Sequence, residues 1–283
     1  MSLRIVAQSV LANPGNQRKK LRKSLAAVGW QAWKRIVRRP KVITLANGTR
    51  FRAYPDCVIS SALHYADWPE YHELQFCRRH LSKGQTVVDV GANVGHCSLL
   101  LADIVGADNL ICFEPTPVTF ARLQENWRLN GWRDEQLHQL AVSAKPGRMF
   151  IPNSASPTTT NSIHASATNQ TDVAIEVTSL DAMVPQWRSR EFGLLKVDVE
   201  GFEREVFAGA GLFLTEMRPR LIMFESLDQH IEPAVAASLS AARYRVFQLG
   251  PDGQPDFENA TAQNLFAVPE EMVGQLRSSR LDE

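Results

Sequence analysis

The stretch VVDVGANVGHCS, residues 87–98, decides the fold of this 283-residue chain. An apolar strand leads into a glycine turn and an apolar helix, and a second strand-like run, LICF, follows and ends on Glu114. A strand, a glycine turn, a helix and an acid one β-α unit later are typical of a nucleoside-binding crevice in an open α/β sheet. The pattern predicts a ligand site at the carboxyl ends of these strands.

Segments with strand character and segments with helical periodicity alternate from this stretch onwards. The strand-like runs fall at residues 86–90, 109–113, 136–142, 173–178, 193–199, 220–225, 244–249 and 263–268. Such alternation predicts an α/β fold with a doubly wound, mostly parallel sheet. The last two runs are joined through a Pro-Asp-Gly turn, and they predict an antiparallel hairpin at one edge.

Length and composition predict one large core with additions, because 44% of the residues are hydrophobic and 22% are charged. We expect a basic arm at 1–41, a hairpin and helical lead-in at 42–82, a ligand-binding domain at 83–270 and a tail at 271–283. Residues 152–172 are rich in Ser, Thr, Asn and Pro and predict a long loop, which in a compact domain is usually functional or disordered.

The first 55 residues contain thirteen Lys or Arg and no acid, whereas the remainder contains eighteen basic and thirty acidic residues. Such an arm can attract phosphate, anionic lipid or a polyanionic glycan, or it can fold onto the domain's own acidic surface. Within it, an apolar period of three or four residues predicts an amphipathic helix that ends at Pro40. The residues in this period are Leu21, Leu25, Val28, Ala32 and Ile36.

Two interpretations of this helix remain open. Trp30 and Trp33 beside many cations fit a helix lying on anionic lipid, whereas a helix packed on the domain with solvated charges is the interpretation we favour.

The four cysteines form no CxxC pair and predict reduced thiols, which favours a cytoplasmic protein. No run of 18 apolar residues occurs, so we expect membrane contact only peripherally, at the inner face.

The glycine turn favours a nucleoside without a pyrophosphate. Gly91 and Gly95 allow close backbone approach, but the GxGxxG fingerprint of dinucleotide sites is absent, which disfavours an NAD-dependent oxidoreductase. Glu114 is placed to accept hydrogen bonds from ribose hydroxyls, and Asp89 beneath the turn to face a cationic or amino group. With Asn93 at the mouth of the crevice, these residues predict S-adenosylmethionine as the ligand.

A second acidic motif, LKVDVEGFE, follows at residues 195–203. In a strand, Lys196, Asp198 and Glu200 share one face, and Glu225 ends the next strand-like run. Buried ionisable groups are costly unless they are paired or used, so these residues are candidates for catalysis. We also expect Asp198, near the carboxyl end of its strand, to bind beside the methionine part of the cofactor. The three acids are also candidate ligands of a divalent metal such as Mg²⁺. The structural alternative is an ion pair of Lys196 with Glu225 or Asp198.

Other residues compete for the same roles. His230 is the alternative general base, and His164 in the polar loop is another. Tyr65 and Glu73, in one or two helices predicted over residues 60–81, are candidates to close over the amino-acid end of the ligand. The position of His96 at the helix start is consistent with simple packing.

The quoted motifs resemble those of FkbM-type methyltransferases, a branch of the class I S-adenosylmethionine-dependent enzymes. The resemblance spans roughly residues 42–268 and rests on the following segments: 87–98, FEPTPVTFARLQENWRLNG at 113–131, AVS at 141–143, TSLD at 178–181, LLKVDVEGFEREVFAGA at 194–210 and RPRLIMFES at 218–226. It implies a Rossmann-like, mostly parallel seven-stranded sheet with an antiparallel C-terminal hairpin. It also adds Pro115 and Ser143 as cofactor-binding residues.

The family resemblance, and not the residue spacing, implies O-methylation of a hydroxyl. We expect a sugar in a glycan or glycolipid as the acceptor, ahead of a polyketide or other secondary metabolite. A non-catalytic module that uses the same fold to dock a membrane or partner is the alternative from another class. A nucleic-acid substrate is disfavoured, because no base-pocket motif or RNA-binding module is present.

Overall fold

The structure is a computed structural model that describes residue 6 and residues 10–152, 172–226 and 230–278. Its strands, in chain order, are β1 (Lys41–Thr44), β2 (Arg50–Ala53), β3 (Thr86–Val90), β4 (Leu110–Phe113), β5 (Leu137–His138), β6 (Ala141–Val142), β7 (Gly147–Ile151), β8 (Val173–Thr178), β9 (Phe192–Val197), β10 (Leu221–Glu225), β11 (Tyr244–Leu249), β12 (Pro255–Asp256) and β13 (Asn264–Pro269).

Helices cover both faces of the main sheet and form much of the N-terminal extension. The α-helices with fully described bounds are α1 (Lys20–Ile36), α2 (Val58–Tyr65), α3 (Tyr71–His80), α4 (His96–Val105), α5 (Pro117–Leu129), α6 (Leu180–Trp187), α7 (Glu203–Ala208), α8 (Pro233–Ala241) and α9 (Val273–Ser278). No helix in the described ranges has both the length and the apolar character needed to cross a membrane.

The main sheet has the strand order β12-β11-β13-β10-β9-β3-β4-β5. The five strands from β10 to β5 are parallel, and β13 lies antiparallel between β10 and β11. The predicted α/β class, the parallel centre and the C-terminal hairpin are therefore confirmed, with the two-residue β12 as an eighth strand. The chain leaves β3 towards β4 on one side and returns to β9 on the other, which makes the carboxyl ends of β3 and β9 a topological switch point.

Two strands predicted from the sequence have other bounds in the structure. The run at 136–142 splits into β5, which ends the main sheet, and β6, which joins β8 and β7 in a separate three-stranded sheet. Hydrophobicity marks both halves as buried, but only long-range pairing shows that they belong to different sheets. The strand predicted over 193–199 ends at Val197, because Glu200 and Gly201 adopt positive φ values of 53° and 95°.

Strand β3 shows why both faces of the sheet are covered. Val88 and Val90 pack into the apolar cluster on one side, whereas Val87 packs into the cluster on the other, and all three are at most 1% exposed. A strand buried on both faces is the expected centre of a parallel sheet with helices on each side. Functional groups on such a strand reach a ligand only at its end.

The N-terminal extension forms the predicted elements. Strands β1 and β2 pair as an antiparallel hairpin around Asn47 and Gly48, and the 60–81 region forms two helices, α2 and α3. The basic helix α1 packs against α2. Two of its cations, Lys19 just before the helix and Lys23 within it, contact Asp67 at 2.9 and 2.6 Å, so part of the arm does fold onto an acid of the domain.

Candidate functional site

A crevice of about 440 Å³ opens at the carboxyl ends of β3, β4, β9 and β10. Part of its lining comes from the glycine turn and the residues that follow β4, and another part comes from α2 and the segment after it. The predicted site residues that line it are Gly91, Asn93, Glu114, Pro115, Asp198, Glu200 and Glu225. Most of the site residues predicted from two motifs that are distant in the sequence therefore line one cavity.

The glycine turn is held tightly between β4 and β9. The backbone amides of Gly91 and Ala92 donate to the Phe113 carbonyl at 3.0 and 2.9 Å. A Cβ atom on Gly91 would lie 1.9 Å from the Asp198 carbonyl oxygen, and the φ of Gly91 is +79°. Only glycine fits where two strand ends approach this closely in a left-handed conformation.

Gly95 has a packing role rather than a place in the crevice wall. It caps the start of α4 with a φ of +84°, and a Cβ atom there would lie 2.5 Å from the Leu123 side chain. Gly95 therefore lets α4 and α5 pack closely behind the turn. This contact shapes the crevice, although Gly95 is not among its lining residues.

Glu114 occupies the position predicted for a ribose-binding acid. Its Oε2 accepts from the Asn93 amide at 3.1 Å and its Oε1 accepts from the Thr116 amide at 2.9 Å. Burial raises the pKa of Glu114, while these amides act in the opposite direction. A carboxylate accepts about four hydrogen bonds in all. The two amides and the Thr116 side chain use three of these positions, so acceptor capacity remains for a ligand hydroxyl.

Asn93 and His96 continue this wall of the crevice. Asn93 adopts a left-handed φ of 52°, and its side-chain oxygen accepts from the Val94 amide at 2.9 Å. His96 is buried, and its Nδ1 has no hydrogen-bond partner among the described residues. Burial, with the charge of Lys196 adding to it, lowers the pKa of His96 to about 4, so the ring is neutral near pH 7. We expected His96 only to pack at the helix start, but His96 also lines the crevice.

Below the turn, Lys196 lies between two carboxylates. Its Nζ is 3.3 Å from Asp89 Oδ1 and 3.2 Å from Asp198 Oδ2, and only 2% of its side chain is exposed. Burial alone would lower the pKa of Lys196, but Asp198 and Asp89 outweigh burial and raise it well above its usual value. Asp89 therefore faces a cation, as expected, but this cation belongs to the chain and Asp89 does not line the crevice.

The sequence offered two ion pairs for Lys196, with Asp198 or with Glu225, and one of them is present. The Lys196–Asp198 pair forms, and no Lys196–Glu225 pair exists among the described residues. Lys196 is not a lining residue, so it acts on the crevice through Asp198, whose side chain remains 36% exposed. The pair fixes one carboxylate oxygen of Asp198 and leaves the other available to a ligand.

Glu200 lies on a bend after β9 instead of on the strand face. Glu203, which was not predicted as a site residue, supports this bend, because its Oε1 accepts from the amides of Val199 and Gly201 at 3.1 and 3.4 Å. Desolvation, followed by repulsion from Glu225 and Asp198, raises the pKa of Glu200 to about 7. Its side chain is exposed at the crevice wall.

Glu225 ends β10 at the same side of the crevice. Its Oε1 accepts from the Gln263 side chain at 2.9 Å, and its buried Oε2 has no hydrogen-bond partner within the described residues. Buried polar atoms are normally satisfied, so this free oxygen is a candidate acceptor for a ligand group. Gln263, just before β13, is a lining residue that the sequence motifs did not indicate.

Glu70 is a crevice residue that sequence reasoning missed. It lies between α2 and α3 with a left-handed φ of 49°. The surrounding protein desolvates it and raises its pKa to about 7, although its side chain still touches solvent, as expected in an open concave wall. The preceding Pro69 marks the break between the helices, which was the one local signal for a crevice-facing loop here.

The remaining candidates do not line the crevice. Tyr65 is buried and its hydroxyl accepts from the Gln31 side chain, whereas Ser143 is buried with its amide donating to the Thr178 carbonyl at 2.9 Å. Glu73 and the exposed His230 also lie outside the lining set. His164 and residues 153–171 of the predicted loop lie outside the described residues.

The predicted metal site is not formed by the described residues, in which no group of three or more His, Cys, Asp or Glu is arranged to hold a metal ion. Asp198, Glu200 and Glu225 share the crevice but have separate partners. Asp198 pairs with Lys196 and Glu225 accepts from Gln263. Glu200 lies on the bend after β9, with a positive φ of 53°, and so does not share a strand face with Asp198.

Comparisons with known proteins find one family model and one curated relative that match parts of this chain. The FkbM methyltransferase domain family matches residues 89–248. Methyltransferase 1 of Beauveria bassiana (strain ARSEF 2860) is 27% identical over 44% of this chain and 57% of that protein.

Solved structures that align with this chain include the methyltransferase FkbM from Methylobacillus flagellatus, at 14% identity and a TM-score of 0.44, over 90% of this chain and 60% of that chain. A ribosomal protein L11 methylase from Lactobacillus delbrueckii subsp. bulgaricus aligns at 15% identity and a TM-score of 0.42, over 70% of this chain and 75% of that chain. This chain thus spans 57% of the curated relative and 60% of the FkbM structure.

The family match begins at Asp89 in β3 and ends at Gln248 in β11, so it contains the ends of all four strands that form the crevice. It also covers more than half of the 283 residues. The chain belongs to the FkbM methyltransferase domain family.

Proposed function

We propose that this protein is an S-adenosylmethionine-dependent O-methyltransferase whose acceptor is a hydroxyl of a sugar in a glycan or glycolipid. One observation carries the proposal: a single crevice combines a wall suited to a nucleoside, at Gly91 and Glu114, with a wall of carboxylates at Asp198, Glu200 and Glu225. The first wall suits the donor, and the second suits a cationic donor group and a hydroxyl acceptor.

The donor wall has the geometry that a ribose requires. Gly91 leaves the backbone open to close approach. The Glu114 carboxylate is oriented by two backbone amides and keeps acceptor capacity for a ligand hydroxyl. Neutral His96 and the carboxylate of Asp198 border the same cavity. A ligand with vicinal hydroxyls and a positive charge, but no phosphate, matches these groups.

For the reaction, the chain must orient a hydroxyl and accept its proton. When bound, S-adenosylmethionine would supply a methyl group to the hydroxyl oxygen, which would attack the methyl carbon in line with the carbon–sulfur bond, so that this bond breaks and S-adenosylhomocysteine leaves. Glu200 and Glu70 each have a pKa of about 7, which suits a carboxylate that accepts a proton near neutral pH. Lys196 holds Asp198 in place, and the free Oε2 of Glu225 is available to a second acceptor hydroxyl.

A sugar acceptor is supported by the number of acceptor atoms in the crevice, because several carboxylate oxygens can bind several neighbouring hydroxyls. A polyketide or other secondary metabolite is the second candidate. The apolar side chains of Val58, Ile59 and Ala62 in the α2 part of the lining favour it, since they suit a less polar surface.

The full chain should be incubated with S-adenosylmethionine carrying a labelled methyl group and a panel of cell glycans, glycolipids and metabolites, followed by mass spectrometry. We expect label on a saccharide hydroxyl. Label on a polyketide or another metabolite would instead support the second acceptor class. Calorimetry that detects no S-adenosylmethionine binding would overturn the enzyme proposal and favour a non-catalytic module.

A variant pair connects turnover to the crevice. Asp198→Asn keeps the size of the side chain but removes its charge, so we expect methyl transfer to be abolished in a folded protein. Asp108→Asn makes the same change at an exposed site outside the crevice and should retain activity. Near-normal turnover by Asp198→Asn would remove Asp198 from the mechanism.

A further inference from the structure

Helix α1 presents an apolar stripe to solvent. The stripe consists of Leu21, Leu25, Val28, Ala32 and Ile36. Leu21, Leu25, Val28 and Ile36 are 76%, 65%, 56% and 80% exposed, and Ala32 is exposed as well. At 3.6 residues per turn, intervals of four, three, four and four residues keep all five side chains on one side of the helix.

The opposite side of α1 is the one that packs on the domain. Trp30 is 2% exposed, its ring stacks on His64 at a centroid distance of 4.0 Å, and its Nε1 donates to Ser61 Oγ at 3.1 Å. Ala27 and Gln31 are buried on the same side. The domain therefore fixes α1 with its apolar stripe outwards, and Trp30, which fitted a lipid contact in the sequence, is part of the core.

Many cations lie near this stripe, and the segment that carries them contains no acid of its own. Residues 18–41 contain ten Lys or Arg and no Asp or Glu. Lys19 and Lys23 pair with Asp67. The remaining cations on and after the helix include several that form no ion pair with any described residue, namely Lys20, Arg22, Arg35 and Arg39.

We propose that α1 docks on an anionic lipid surface, with the stripe in the interface and the unpaired cations among the headgroups. A bilayer of this kind satisfies both features, because it covers apolar side chains and attracts Lys and Arg. A second copy of the chain would cover the stripe but bring two all-cationic helices together. A nucleic acid would pair with the cations and leave the stripe in water.

Docking of α1 is separate from the proposed methyl transfer. No residue of the stripe lines the crevice. The two are connected structurally, because α2, on which α1 packs, contributes Val58, Ile59 and Ala62 to the crevice wall. A lipid surface in contact with the stripe would therefore be separated from the crevice by α1 and α2.

The test is flotation of the full chain with phosphatidylglycerol–phosphatidylcholine vesicles and with vesicles of phosphatidylcholine alone. We expect binding to the anionic vesicles that weakens as salt is added. Leu25→Gln combined with Val28→Gln keeps the charge but interrupts the stripe, and should weaken binding by about tenfold or more. Arg22→Gln combined with Arg35→Gln keeps the stripe and should weaken binding by about tenfold.

Each pair has a matched control elsewhere on the surface. Val118→Gln with Leu212→Gln removes two other exposed apolar side chains, and Arg133→Gln with Arg148→Gln removes two other exposed cations. Both controls should bind vesicles as the unmodified chain does. Circular dichroism and size-exclusion chromatography establish that all four variants remain folded.

Three results would overturn the proposal. The first is vesicle binding that the stripe variant leaves unchanged. The second is a dimer that the stripe variant converts to monomer while the unmodified chain ignores vesicles, which would assign the stripe to a second copy. The third is tight RNA binding that depends on Arg22 and Arg35 without any vesicle binding.

Discussion

The two halves of the crevice differ in how their polar groups are satisfied. At the β3–β4 end, the Glu114 carboxylate accepts two backbone amides and the turn is tied to the Phe113 carbonyl. At the β9–β10 end, Glu200 and Glu225 lie near further acids, and Glu225 keeps an unpartnered oxygen. The first half is organised before any ligand arrives, whereas the second concentrates negative charge that a ligand must balance.

In the first half, backbone amides orient the carboxylate, whereas in the second half a carboxylate oxygen has no such partner among the described residues. Backbone amides hold Glu114 in one orientation, which suits a ligand that is the same in every turnover. Glu200 lies on a bend and has a pKa of about 7, so its protonation responds to the charge and protons of whatever enters the crevice. Lys196 connects the halves, because its two carboxylates come from β3 and from the end of β9.

Removal of Lys196 should give the largest effect. Lys196→Met leaves the fully buried Asp89 without its cation, and breaking a buried pair in this way costs about 3–5 kcal/mol of unfolding free energy. Urea unfolding followed by circular dichroism measures it. The double variant Asp89→Asn, Lys196→Met should recover part of the loss. A loss below about 1 kcal/mol would mean that the pair does not join the two halves.

The glycine turn should give the next largest effect. Gly48→Ala is the reference, since Gly48 has a φ of +89° and, apart from its two chain neighbours, no described residue lies within 4 Å of the position that an added methyl group would occupy. It should cost about 1–2 kcal/mol for the left-handed backbone alone. Gly91→Ala adds the clash with Asp198 and should cost about 1–3 kcal/mol more in the same unfolding experiment. Equal losses would show that the strand ends separate easily.

The ribose-binding role proposed for Glu114, in the half of the crevice at the β3–β4 end, is tested by ligand binding. Glu114→Ala should weaken S-adenosylmethionine binding by about 1–3 kcal/mol, because ligand hydroxyls lose buried acceptors. Isothermal calorimetry gives the dissociation constant. Glu135→Ala, at a side chain that is 65% exposed, is the matched control and should bind normally. An unchanged dissociation constant for Glu114→Ala would exclude the ribose role.

The acidic half should give the smallest stability effect, and one that depends on pH. The fold raises the pKa of Glu200 from 4.5 to about 7, so the native state favours its protonated form. Its contribution to stability is complete below pH 4.5 and is lost as the pH rises through about 7. Since solvent screens this exposed group, the loss should be under about 1 kcal/mol.

Glu200→Gln removes this titration. Unfolding free energies at about pH 5 and about pH 8 should therefore differ less in the variant than in the unmodified chain. If both proteins lose the same stability between these values, crowding of acids at the β9–β10 end does not govern the pH response.

Much of the donor half could be predicted because its determinants are local. The strand, the turn and the helix follow one another in residues 87–98, so Gly91, Asn93 and the acid one unit later were identifiable from spacing. Glu70 was not identifiable in this way. Its place in the wall depends on how α2 and α3 pack against strands that come later in the chain.

By itself, the sequence determined the α/β alternation, the glycine turn, the acids at two strand ends and the amphipathic period of α1, because each is a pattern among close neighbours. Tertiary structure decided that Lys196 lies between Asp89 and Asp198. It also decided that β5 and β6 belong to different sheets and that the stripe of α1 faces outwards. A period of apolar residues marks two faces of a helix, but only the buried contacts of Trp30 select the face that packs.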